Sequence, residues 1–168
     1  MIDEKDSQFI TYLRNNARIN LTTVSRKTSI PISTLYDRLK IGEKGIITRH
    51  TSLLDFAKLG YGCHAQVILK VDRDCREKLK DYLLKMECVN SLAKINNGFD
   101  FLAEIIFANI KELEEFLEDL DNRFKVLTRQ VYYIIEEITR EHFMTRHMPI
   151  KSIDDKESAG DASEQQPL

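Results

Sequence analysis

Ser33, Thr34, Tyr36 and Lys40 fall in one short stretch, with Arg38 among them and Arg26 and Lys27 just upstream. Hydroxyls can hydrogen-bond base edges or phosphate oxygens, and lysine and arginine neutralise phosphate. The chemistry on offer is recognition of double-stranded DNA rather than bond making. Asp37 would repel phosphate unless it accepts from a cytosine amino group or pairs with Arg38 or Lys40. Arg38 has two readings: a phosphate clamp, or an internal ion pair beside the seam of Leu35 and Leu39. The second is slightly favoured because of that seam.

No other set of reactive side chains converges. His142 and His147 are five residues apart, the wrong spacing for one helical face. Glu136, Glu137 and Glu141 gather carboxylates without a nucleophile or ligands around them. Cys63, Cys75 and Cys88 form no CxxC pair, so a zinc site is not expected. No cofactor and no catalytic centre are expected. The thiols read as small core residues in a reducing, cytoplasmic setting. No signal peptide or long apolar run occurs, and no membrane partner is expected. Asp100 follows an Asn97-Gly98 turn and has two readings. It either binds the ammonium group of an effector together with Asn97 and Gly98, or it caps the turn.

Two short helical patterns and a turn must hold the DNA-facing residues. Leu21 and Val24 are three apart, with Asn20 able to cap the start. Thr28, Ser29 and Pro31 break the pattern. Leu35 and Leu39, four apart, share a face and leave Ser33, Thr34, Tyr36, Asp37 and Lys40 looking outward. This is the layout of a helix-turn-helix, whose second helix enters the major groove. A first helix over residues 2–15 completes the core through Ile2, Phe9, Ile10 and Leu13. Gly45 ends the recognition helix, and residues 46–51 read as an extended wing or linking strand.

Beyond a hinge at 53–60 the period changes. A strand at 63–71 is followed by a helix over Asp72–Glu87 and a strand at Val89–Ile95. A strand at Phe101–Phe107, a helix from Ile110 and a strand at Val131–Ile138 complete the order. The expected class is α+β: a helix-turn-helix (winged-helix-like) domain at 1–52, then a ferredoxin-like βαββαβ domain at 61–150, with a disordered acidic tail at 151–168. Ile68, Leu102, Ile106 and Tyr132 are placed on the sheet face that the helices leave bare, where the simplest partner is another copy of the chain. Charge divides the same way. Residues 1–58 hold ten basic and six acidic side chains, residues 59–168 fifteen and twenty-one, so +4 stands beside −6.

The chain resembles the leucine-responsive/asparagine-synthase regulator (Lrp/AsnC) family over roughly nine-tenths of its length. Ile2-Asp3 with Asp6, Phe9, Ile10 and Leu13 is similar to that family's first helix. Asn16-Ala17-Arg18 is similar to its Asp-Ala-Arg signature, and Ser33-Thr34-Leu35 with Arg38 to its recognition helix. Gly45-Ile46-Ile47, Leu59-Gly60 and Phe99-Asp100-Phe101-Leu102 complete the ordered set. The resemblance implies a homodimeric transcriptional regulator, assembling further to a tetramer or octamer, with an amino-acid effector bound at the sheet region. Departures are expected to matter. Gly42 stands where the family tends to have leucine, and glycine costs about 1 kcal/mol in a helix interior, so an early end to the recognition helix is expected. Ser29 and Pro31 replace a turn glycine and a capping serine. Asn97, Arg129 and Val131 depart from the family's effector-region pattern. Two other readings remain: an interaction module that no longer reads DNA, and, with little support in a chain lacking tryptophan, a sirohaem-decarboxylase-like enzyme.

Overall fold

The computed structural model describes residues 3–146, so the expectations for Ile2 and the tail lie outside the described residues. The chain divides into two compact units, residues 3–52 with 139–146, and residues 53–138.

The first unit is built on three helices: α1 (Glu4–Asn15), α2 (Leu21–Thr28) and α3 (Ile32–Lys44). Asp3 caps α1 reciprocally. Its carboxylate accepts from the Asp6 amide, and the Asp6 carboxylate accepts from the Asp3 amide. Asn20 caps α2 as its type predicts, accepting from the Thr22 amide at 2.8 Å. Phe9, Val24, Ile30 and Leu35 are buried where the three helices meet, with Tyr12, Leu13, Leu21 and Leu39 around them.

The α2–α3 turn is made without glycine. Ser29 ends α2 at φ 58°, ψ 19°, the left-handed conformation that a glycine would take at little cost. The early end expected for α3 does not occur. The helix runs through Gly42 to Lys44 because Gly42 is an internal packing site: a Cβ there would lie 3.0 Å from Ile47 Cδ1. Ile47 folds back over the helix end, its amide donating to the Gly42 carbonyl at 2.8 Å. Residues 46–51 consequently form no strand, and the expected wing is not made.

The second unit opens with a 3-10 turn (Ala57–Leu59). It continues as β1 (Cys63–Val71), α4 (Arg76–Leu83), β2 (Val89–Lys94), β3 (Phe101–Phe107), α5 (Ile110–Arg123) and β4 (Val126–Tyr133). The order β2-β3-β1-β4, with every neighbour antiparallel, is the ferredoxin-like sheet. Alternate residues of β1 (Cys63, Ala65, Val67, Leu69, Val71) and of β3 (Phe101, Ala103, Ile105) bury against Leu79 and Leu83 of α4 and Leu113, Leu117 and Leu120 of α5. Each fully shielded leucine contributes roughly 1.5–3 kcal/mol. Cys63 belongs to this core and Cys88 packs on it, and burial pushes both thiols up from their ordinary value.

Two boundaries differ from expectation. A 3-10 turn at Arg73–Cys75 precedes α4, which stops at Leu83 rather than Glu87. The fourth strand lies five residues earlier than the expected Val131–Ile138. Val126 pairs with Val71 and Val131 with Val67, so the register is used up by Tyr133. Ile135 and Ile138 are left 99% and 89% exposed.

Candidate nucleic-acid interface

The leucine seam of α3 sets its orientation. Leu35 is completely buried and Leu39 half-buried, which turns Ser33, Tyr36, Asp37 and Lys40 to solvent. Thr34 is half-buried at the edge of that face. Lys40 Nζ stands 4.8 Å above the centre of the Tyr36 ring, so the two side chains form one cation–π unit on the outer surface. Arg26 and Lys27, in the last turn of α2, are exposed, and Lys27 Nζ lies 5.8 Å from the Tyr12 ring centre. Of the seven side chains picked from the sequence, six remain presented at the surface of this unit.

The seventh, Arg38, is engaged internally. Its Nη1 and Nη2 meet the two Asp3 carboxylate oxygens at 2.7 and 2.8 Å, and Nη1 also bonds Asp6. The Arg38 guanidinium holds the Asp3 carboxyl well below the usual carboxylate range, and the same pairing raises Arg38 above its ordinary value. The residue is the clasp between α3 and the start of α1, the ion-pair reading of the two. A free phosphate clamp does not fit this geometry.

In the sheet unit, Asn97 (φ 61°) and Gly98 (φ 85°) make the left-handed pair of a tight hairpin turn, with the Ile95 amide bonded to the Asp100 carbonyl. Asp100 is turned inward. It is 6% exposed; one carboxylate oxygen accepts from the Val71 amide at 2.9 Å, and the other lies 2.7 Å from Arg76 Nε, an ion pair not aligned for a hydrogen bond. Both oxygens join β1, α4 and the β2–β3 turn, a structural role for Asp100. Arg76 gave no sign of this in the sequence.

The bare sheet face has the expected phase. Ile68 opposes Leu102, and Gln66 opposes Tyr132, in register with the buried rows on the other side. Its centre is more polar than apolar patterning suggested. Glu104, 6% exposed, lies 2.9 Å from His64 Nε2 and accepts from the Asn90 side-chain Nδ2 at 2.8 Å. Only the alternation of β3, which puts an acid at a position flanked by apolar residues, signalled it.

A trihelical helix-turn-helix unit joined to a ferredoxin-like domain defines a class of two-part DNA-binding regulators. No family model matches the chain. It is 26% identical over 151 residues to the HTH-type transcriptional regulator FL11 of Pyrococcus horikoshii, across 89% of this chain and 97% of that protein. Among solved structures, the transcriptional regulator NMB0573 of Neisseria meningitidis, in complex with L-Met, superposes with a TM-score of 0.77 at 23% identity, covering 89% of this chain and 97% of its own. LrpC of B. subtilis superposes at 0.75 with 21% identity, over 83% and 98%. E. coli AsnC superposes at 0.75 with 15% identity, over 83% and 96%. The chain is a relative of HTH-type transcriptional regulators and has the Lrp/AsnC fold.

Proposed function

We propose that this chain is a sequence-specific, DNA-binding transcriptional regulator of the Lrp/AsnC type, acting in the cytoplasm and without enzymatic activity. The observation that carries the reading is the outer face of α3, where Ser33, Tyr36 and Lys40 are exposed while Leu35 is buried beneath them. Ser33, Thr34 and Tyr36 supply hydroxyls to base edges, and Lys40, Arg26 and Lys27 neutralise flanking phosphates. The bare sheet face mates with the same face of a second copy. The two-fold presents two recognition helices to successive major-groove turns, roughly 34 Å apart, and the operator is a loose palindrome. Further pairing to a tetramer or octamer is part of the same reading.

The L-Met complex of NMB0573 supports a small-molecule effector, an amino acid being the first class to try. In this chain the Asn97–Gly98 turn stays a candidate for that site, without Asp100. In vitro selection of bound duplexes, repeated with and without added amino acids, tests the whole reading. A preferred palindromic motif whose affinity shifts with one amino acid is the expected result. Binding without any preferred sequence, lost at moderate salt, would favour an interaction module instead.

A further inference from the structure

After β4 the chain returns to the helical unit. Arg14, near the end of α1, holds this return segment by its backbone. Nε donates to the Phe143 carbonyl at 3.0 Å, and Nη2 donates to the Glu141 carbonyl at 2.8 Å and to the Glu141 carboxylate at 2.9 Å. The Asn15 side-chain amide donates to the Thr145 carbonyl at 2.6 Å. Thr145 closes a turn on His142, its hydroxyl donating to the His142 carbonyl at 2.9 Å. Glu141 and Met144 sit at φ 54° and 61°, conformations that persist in such residues where the surroundings enforce them. The segment is thus a built strap.

Its last described residue is placed by that clasp. Arg146 directly follows the residue bonded to Asn15, at a Cα–Cα step of about 3.8 Å. It is exposed and makes no ion pair with a described residue. On the other side of Asn15 the chain turns tightly, the Arg18 amide bonding Asn16 Oδ1 at 2.9 Å, and α2 starts behind its Asn20 cap. Arg18 is exposed as well. Two exposed arginines thus lie close along the chain to Asn15, Arg18 three residues on and Arg146 next to the Thr145 carbonyl that Asn15 holds; neither is paired among the described residues, while Glu141 and Arg14 neutralise each other. In a docked helix-turn-helix the first helix of the motif crosses the DNA backbone. The entry to α2 is where a phosphate strand would pass.

We propose that Thr139–Arg146 is a phosphate-contacting arm of the DNA interface, with Arg146 making its contact beside Arg18. The proposal rests on the DNA-binding reading above. Each neutralised phosphate contributes about 0.9 to the slope of log affinity against log salt. Removing Arg146 should therefore flatten that slope by about 1 per subunit, about 2 for the bound dimer, and weaken specific and random duplexes by the same factor.

The test is a salt titration of duplex binding by the full chain. The variants are Arg146→Ala, Arg146→Lys, Arg14→Ala and, as a control on α5, Arg123→Ala; thermal melts confirm that each folds. The expected pattern is a flatter slope for R146A, recovery with R146K, a loss for R14A as the strap is released, and no change for R123A. A wild-type slope in R146A, with wild-type protein binding DNA normally, overturns the arm and leaves the recognition-helix reading standing. Wild-type protein that binds no duplex overturns both.

Discussion

Among the described residues, the helical unit closes on four buried apolar side chains in its core cluster, the sheet unit on thirteen. The difference lies in how each unit uses its charges. The sheet unit is held by burial, and its acidic side chains pair mostly along its own surface, as Arg123 does with Asp119 and Arg129 with Asp121. The helical unit has little apolar area to bury, and it adds polar ties between distant points: Arg38 on Asp3 and Asp6, and Arg14 on the strap. Those ties use none of Ser33, Tyr36, Asp37 and Lys40 on the outer face of α3. A small domain with one outward surface to preserve needs stabilisation that does not use that surface.

The contrast is broken most directly in the smaller core. Leu35→Ala removes a side chain with no exposure and few neighbours able to collapse into the gap. A loss of about 2–5 kcal/mol is expected. It should appear as melting of the helical signal while the near-UV signature of the sheet unit survives. Leu117→Ala in the sheet unit should lower the other transition instead. If both variants melt in one coincident step at the same temperature, the two units are not separate in stability.

Next in size is the clasp. Arg38→Gln should lower the melting temperature of the helical unit at neutral pH and change its acid response. The Asp3 carboxyl is held below its unfolded value, so its contribution is present above the ordinary carboxylate range, about pH 3.9, and is lost as pH falls below it. Wild-type protein should therefore lose helical stability on acidification beyond that point, and R38Q should show a shallower loss. Identical acid profiles would remove the clasp from the account.

The smallest effect concerns the turn. Ser29→Gly relieves a left-handed non-glycine conformation and should raise stability by about 1 kcal/mol, read as an upward shift of the melting temperature. A drop would mean that the serine side chain does something the backbone geometry does not reveal.

What was legible in the sequence was local. Asn20 capped where its type said it would, Gly45 ended α3, and Asn97-Gly98 with Phe101–Phe107 gave a turn and strand at the expected residues. These depend on one residue's chemistry or on unbroken alternation. The misplaced fourth strand shows the limit. Val126–Gln130 is mixed in polarity, whereas Val131–Ile135 is apolar, and pairing with β1 decided the matter against the apolar run. At the candidate interface the outward row of α3 followed from two leucines. Arg38 was resolved only by acids at the start of α1, and Asp100 by an arginine on α4. The strap was invisible because Arg14 and Asn15 grip mainly backbone carbonyls, which carry no signature of residue type. Sequence periodicity ran the second domain on to residue 150, whereas residues 139–146 pack with the helices.

The central claim is that the outer face of α3 reads DNA, and the Tyr36–Lys40 unit stands exposed on it. Fluorescence anisotropy on a selected duplex, across a salt series, compares wild type with Tyr36→Ala/Lys40→Ala. A large loss of affinity, a salt slope flatter by about 2 for the dimer (about 1 per subunit), and diminished preference over random duplex are predicted, with an unchanged melting temperature. Wild-type affinity and wild-type slope in the double variant would contradict the account.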